Sequence, residues 1–214
     1  AVNAVYTLSS SPTASNATTA LSLAYDNAVF LNGVKLDLLA AGCYGVGSGK
    51  VGCGDQYMGK AWRYDPRYSG NNFGTDLHHA HTQPDGTYHY HVAPEVLYPN
   101  TSPTEASPVI GFAADGFPIY GPYINDNGTI RLVSSSYQLK SGARVALGTE
   151  GSGQFPGGDY DGTYREDYEY SEGSGDLDSC NGMTVDGVYG YYATPSFPWV
   201  MACFKGSPND SFKK

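Results

Sequence analysis

Charge is sparse in this sequence, and positive charge is sparser still. Asp, Glu, Lys and Arg make up 15% of the 214 residues, with 12 Lys and Arg against 21 Asp and Glu, a formal net charge of −9 at pH 7. Such a chain carries no electrostatic footprint for nucleic acid or anionic lipid, so no nucleic-acid partner is expected. No apolar run approaches the roughly 18–20 residues that a membrane span requires, and none is expected. The N-terminus has neither Met nor a signal-peptide pattern, which reads as a mature, already trimmed, soluble protein. Several reaction motifs are also missing. A Gly-x-Ser-x-Gly elbow and a phosphate-cradling P-loop are both absent.

Helical periodicity is missing too, since no stretch of ten residues repeats its apolar positions at helical spacing. What the chain has instead is 28 Gly, 13 Pro and 19 Tyr, too many for a helical protein of this size. The expected fold is mainly β: a single antiparallel β-rich domain with long loops, at most short helices, and disulfide staples. Residues 1–19 read as an N-terminal strand followed by a Ser/Thr-rich loop, and residues 20–214 as the domain. Asn32-Gly33 between apolar runs predicts a type I′ hairpin joining strands near 21–31 and 34–38. Asp-Gly pairs at 85–86, 115–116, 161–162 and 186–187 read as further turns. The segments 99–108 and 148–158, dominated by Pro, Ser, Thr and Gly, read as surface loops.

The four cysteines, Cys43, Cys53, Cys180 and Cys203, match no zinc or redox spacing. Disulfides between sequence neighbours, Cys43 with Cys53 and Cys180 with Cys203, are expected, each adding roughly 3 kcal/mol by restricting the unfolded chain. That places the protein in an oxidising compartment, secreted or periplasmic. The alternative is four reduced, buried cysteines acting as small hydrophobes. Between Asp159 and Asp178 stand eight acids, Asp159, Asp161, Glu166, Asp167, Glu169, Glu172, Asp176 and Asp178, with Arg165 as the one base. Calcium, Ca(II), is conceivable at 159–178, but the spacing does not match the EF-hand loop, and an acidic hairpin around Asp161-Gly162 with outward carboxylates explains the same residues. Asn16, Asn100, Asn127 and Asn209 open glycosylation tripeptides, which matter only in a eukaryotic secretory pathway.

All five histidines, His78, His79, His81, His89 and His91, fall within fourteen positions. After the turn at Pro84-Asp85-Gly86, residues 87–92 read as a strand that sends Tyr88 and Tyr90 to one face and His89 and His91 to the other. Two imidazoles on one strand face, roughly 7 Å apart at the backbone, can converge on one ion. His78 and His81 stand three apart, so a turn would bring both to one side and the chain would fold them onto His89 and His91. The expected metal ligands are His78, His81, His89 and His91. His79 is a fifth candidate, set apart because its neighbour His78 makes joint chelation awkward. An imidazole site suits one transition-metal ion, Cu(II) before Zn(II), and disfavours Mg²⁺ or Ca²⁺. With no thiolate or Met nearby, a blue-copper electron-transfer centre is not expected. Asp76, Asp115 and Asp178 could orient a ligand imidazole, although turn chemistry accounts for each of them equally well.

The chain resembles the YHYH domain family, named for the tetrapeptide Tyr88-His89-Tyr90-His91. The resemblance runs through HTQPDGTYHYH (81–91), NGVKLDLLAAGCYG (32–45), GFAADGFPIYGPY (111–123), LDSCNG (177–182) and FPWVMACFKG (197–206). It implies an exported, β-rich domain and brings no established reaction. The family pattern often has Asn where His79 stands.

Three functions remain in view: metal binding or sequestration, a metal-dependent extracellular oxidase or hydrolase, and a metal-stabilised module that binds glycan or mediates adhesion. A small molecule or polysaccharide is the expected organic ligand of the second and third. Four protein ligands closing a tetrahedron would favour storage, whereas three with a bound water would favour catalysis.

Overall fold

Aromatic and β-branched residues alternate with Gly, Asn and Asp every few positions, and the strands that form are short for that reason. The structure is a computed structural model that describes residues 3–39, 42–45, 59–71, 73–99, 103–150 and 154–214. Its strands are β1 (Thr19–Ala20), β2 (Ala28–Phe30), β3 (Lys35–Leu36), β4 (Ala80–Thr82), β5 (Tyr88–Tyr90), β6 (Val109–Ala113) and β7 (Pro118–Tyr120). They continue with β8 (Tyr123–Asp126), β9 (Thr129–Leu132), β10 (Tyr137–Leu139), β11 (Tyr168–Tyr170), β12 (Gly182–Val185), β13 (Val188–Tyr192) and β14 (Cys203–Phe204). Among the described residues the helical elements are short 3₁₀ turns such as Glu95–Leu97 and Arg165–Asp167, and no helix is long and apolar enough to cross a membrane. The expected mainly β fold is what the chain adopts.

Eight strands form one sheet in the order β12-β13-β7-β6-β2-β3-β5-β4. Most neighbours run antiparallel, but β13 with β7 and β3 with β5 are parallel. The second of these pairings carries the candidate site. β3 belongs to the hairpin with β2, and the chain returns only after a long excursion to lay the β4–β5 hairpin alongside it. Leu36, Ala80 and Tyr90 thereby join Phe30, Ile110, Ile119, Tyr191 and Phe204 in the main core, with the Tyr90 ring edge-on to Phe30 at 5.6 Å. Burial of each large side chain there contributes about 1.5–3 kcal/mol. A smaller core gathers Trp62 and Tyr164 with Tyr44 and Tyr64.

Several local expectations need correction. Residues 3–18 contain no strand, and the first, β1, pairs with β14. The N-terminal segment is still tied down, with Tyr6 stacked on Phe212 and donating to Asp26. The strands expected at 21–31 and 34–38 shrink to three and two residues. Their turn is not type I′, since Gly33 has a φ of +81° but Asn32 keeps a negative φ. Hairpin turns with positive φ at both central residues stand at Asn127-Gly128, between β8 and β9, and at Asp186-Gly187, between β12 and β13. Cys180 is bonded to Cys203, with Cα atoms 4.7 Å apart. The expected Cys43–Cys53 pair involves Cys53, which lies outside the described residues.

The acidic segment faces outward only in part: Asp159, Asp161, Glu169 and Glu172 are exposed, and the others are partly or fully buried. Asp161 and the fully buried Asp167 both pair with Arg144, Asp176 takes Arg131 through two oxygens, and Asp178 takes Lys205. Bases brought from distant parts of the chain neutralise these carboxylates, and sequence proximity gave no sign of it. Most tyrosines likewise pack in ring pairs, such as Tyr120 with Tyr192 and Tyr64 with Tyr164.

Candidate metal centre

The β4–β5 hairpin sets His81 directly opposite His89, while Ala80 faces Tyr90 and Thr82 faces Tyr88. Alternation on β5 then sends Tyr90 into the core and His89 and His91 to the opposite face, as the sequence predicts. Gly86, with a φ of +88°, closes the Asp85 turn through its N–H to the Gln83 carbonyl.

The three imidazoles form a nearly equilateral group. Ring centroids lie 4.7 Å apart for His81–His89, 5.0 Å for His81–His91 and 4.8 Å for His89–His91. One nitrogen from each falls within 4.8 Å of the others. The Nε2 atoms of His81 and His91 are 3.2 Å apart. Two nitrogens at 2.0–2.1 Å from a tetrahedral ion stand about 3.3 Å apart, so this pair already has the spacing of two ligands.

Protonation follows from the surroundings. His81 Nδ1 lies 2.6 Å from the Phe73 carbonyl oxygen, which can only accept, so Nδ1 carries a hydrogen and Nε2 is the nitrogen turned to the other rings. His89 and His91 are buried, and among the described residues the Nδ1 atoms of both lack a hydrogen-bond partner. Burial, reinforced by the neighbouring imidazoles, pushes His89 down to about 4 and His91 to about 3. Both are therefore neutral at pH 7, the form a metal ligand requires.

Sequence reasoning missed the residues beside this face. Lys35 on β3 is the register neighbour of His89, buried and paired with Asp26 at 2.9 Å. Asp37 follows on the same strand path, its N–H donating to the Tyr90 carbonyl. Its charge acts on His91, its Oδ2 takes the Lys214 ammonium, and its Oδ1 is buried without a hydrogen-bond partner. The alternation in Val34-Lys35-Leu36-Asp37-Leu38 was a visible signal that Lys35 and Asp37 share a face. Which imidazole they would meet was not visible.

The remaining candidates lie elsewhere. His78 is exposed, and His79 turns away with a φ of +57°, its Nε2 against the Arg67 guanidinium. Burial and Arg67 hold the His79 imidazole below its usual range. Among the described residues, no hydrogen bond links Asp76, Asp115 or Asp178, the aspartates proposed to orient an imidazole, to a ring of the trio. Asp76 accepts the N–H groups of His78 and Ala80 and the Tyr88 hydroxyl. Asp115 accepts Tyr191 Oη at 2.6 Å and the Gly206 N–H, while Asp178 holds the Cys180 and Gly182 N–H groups. Turn and core chemistry accounts for all three.

Searches of the curated proteins and of the solved structures return no match. The description of the matching family model is YHYH protein, and the match runs from residue 5 to residue 206. It takes in the β4–β5 hairpin, the Lys35–Asp37 strand and the Cys180–Cys203 staple together. The chain therefore belongs to the YHYH protein family.

Proposed function

We propose that the protein binds one transition-metal ion through His81, His89 and His91, and that it does so outside the cytoplasm as a metal-binding or sequestering protein. The observation that carries this reading is the convergence of three imidazoles, each with a nitrogen within 4.8 Å of the others. Unligated, the arrangement leaves buried polar atoms unsatisfied, which is costly. When His91 coordinates through Nε2 its proton sits on Nδ1, and the charge of Asp37, which acts on this imidazole, favours keeping that proton there. The Phe73 carbonyl serves His81 in the same way.

Copper(II) is favoured over zinc(II) because an all-nitrogen site follows the affinity order that puts Cu²⁺ first. The Cys180–Cys203 disulfide supports an exported location, where Cu²⁺ is not kept reduced. A second reading is supported by the ligand count. Three imidazoles leave a position for water or a substrate atom, which suits a metal-dependent enzyme.

The test is to strip the protein of metal and titrate it with Cu(II) and Zn(II) by calorimetry, with the copper form examined by electron paramagnetic resonance. One ion per chain, nitrogen hyperfine structure and displacement of zinc by copper are expected. Undiminished stoichiometry and affinity in a His81→Ala/His89→Ala/His91→Ala variant would sink the assignment.

A further inference from the structure

Beyond the histidine face, the ends of β4 and β5 border a cleft of about 490 Å³, within the roughly 300–1,000 Å³ range of small-molecule sites. Its wall includes Arg67, His79 and Trp199. Two of these are bulky residues held in the left-handed backbone region, His79 at a φ of +57° and Trp199 at +70°. Such conformations cost about 1–2 kcal/mol each and concentrate where a structure prepares a site.

The three side chains are mutually braced. The buried Asp65 accepts the Trp199 indole N–H at 3.1–3.2 Å and the Arg67 backbone N–H at 2.8 Å. The Arg67 guanidinium lies 5.3 Å from the Trp199 ring centroid, and one of its nitrogens donates to His79 Nε2. Among the described residues Arg67 enters no ion pair, and its Nε is buried with no hydrogen-bond partner. A cation fixed from behind by an aromatic face and an imidazole nitrogen is prepared for a planar anion.

The rest of the lining limits what that anion can be. Leu77 and Val96, 93% and 71% exposed, stand at the cleft with Tyr98 and Pro195, so the body of the ligand meets apolar surface. Glu95 is also in the wall and opposes a second negative charge. We propose that this cleft binds a small monocarboxylate with an aromatic or alkyl body, the carboxylate seated on Arg67 and the body against Trp199 and the apolar rim. The site does not depend on a metal ion.

The experiment titrates the full chain with 3-phenylpropionate and with its neutral counterpart 3-phenylpropan-1-ol, followed by calorimetry and tryptophan emission. Trp62 is fully buried in the smaller core, so the emission change reports Trp199. Saturable binding of the acid is expected, with affinity at least about tenfold above the alcohol, the size of one charge-assisted hydrogen bond. Arg67→Gln should remove that difference. Val96→Glu, at an exposed position, should weaken the acid more than the alcohol, because both lose apolar contact but only the acid meets a like charge. His81→Ala/His89→Ala should bind the acid as the unaltered chain does, which separates this proposal from the metal assignment. Equal binding of acid and alcohol, or undiminished acid binding in both Arg67→Gln and Val96→Glu, overturns it.

Discussion

Five histidines crowd one short segment, yet the structure treats them as two groups. His81, His89 and His91 face one another on the sheet with a nitrogen of each drawn together, whereas His78 and His79 leave for the cleft. The divider is a turn. Asp76 Oδ1 accepts the N–H groups of His78 and Ala80, the His79 N–H donates to the Asp76 carbonyl, and His79 takes up positive φ. The chain reverses between Asp76 and Ala80, so His78 and His79 stay in the turn while His81 enters the strand. Density of a residue type is thus a poor guide to a site unless the backbone path between the residues is also known.

The sharpest way to break the comparison is by paired substitution. His89→Ala/His91→Ala should abolish stoichiometric copper binding, while His78→Ala/His79→Ala should leave stoichiometry and affinity within about threefold of the unaltered chain, since neither is an orienting group of the kind worth 10–100-fold. Metal analysis after dialysis reads both. A loss in the second variant equal to that in the first would put His78 or His79 back among the ligands.

Acid should separate the groups as well. In the unfolded chain His89 and His91 protonate near 6.5, but folded they do so only near 4 and 3. Below pH 6.5 the unfolded state holds more protons, so the metal-free protein loses stability as pH falls, at a slope approaching two protons between about pH 5.5 and 4.5. Denaturant melts across pH 4–7 measure it. The His89→Ala/His91→Ala variant should show a flatter profile over that window.

The dividing turn can be loosened directly. Asp76→Ala removes an acceptor for two backbone N–H groups and for Tyr88, and copper affinity should fall by about tenfold, the lower end of what an orienting group contributes. Competition with a chelator of known affinity gives the value. The smallest effect is expected from His79→Asn, which should raise the melting temperature slightly, because Asn tolerates left-handed backbone better than His. Copper binding should not change.

That last position shows how legible the chain was. A φ of +57° at His79 suits a turn residue such as Asn, so this candidate ligand stands at a turn position. Residues governed by local alternation were readable: Tyr88 and Tyr90 against His89 and His91, and the Asp85-Gly86 turn that brings His81 back over them. The Cys180–Cys203 staple followed from sequence neighbours. Residues placed by long-range pairing were not readable. Asp37 reaches the site because β3 runs parallel to β5, and Lys214 meets Asp37 across 177 positions of sequence. Arg144 and Arg131 reach the acidic segment in the same manner, which is why its carboxylates read as a solvated face.

The carbonyl of Phe73 holds the hydrogen on His81 Nδ1, and it belongs to the main chain. Every amino acid supplies the same oxygen there. Alanine scanning is therefore blind to this support, and point mutation cannot remove it without moving the backbone. A lineage exploring other metals could retune Asp37 by a single codon, but its His81 tautomer would change only through an insertion or deletion that shifts the strand path around residue 73.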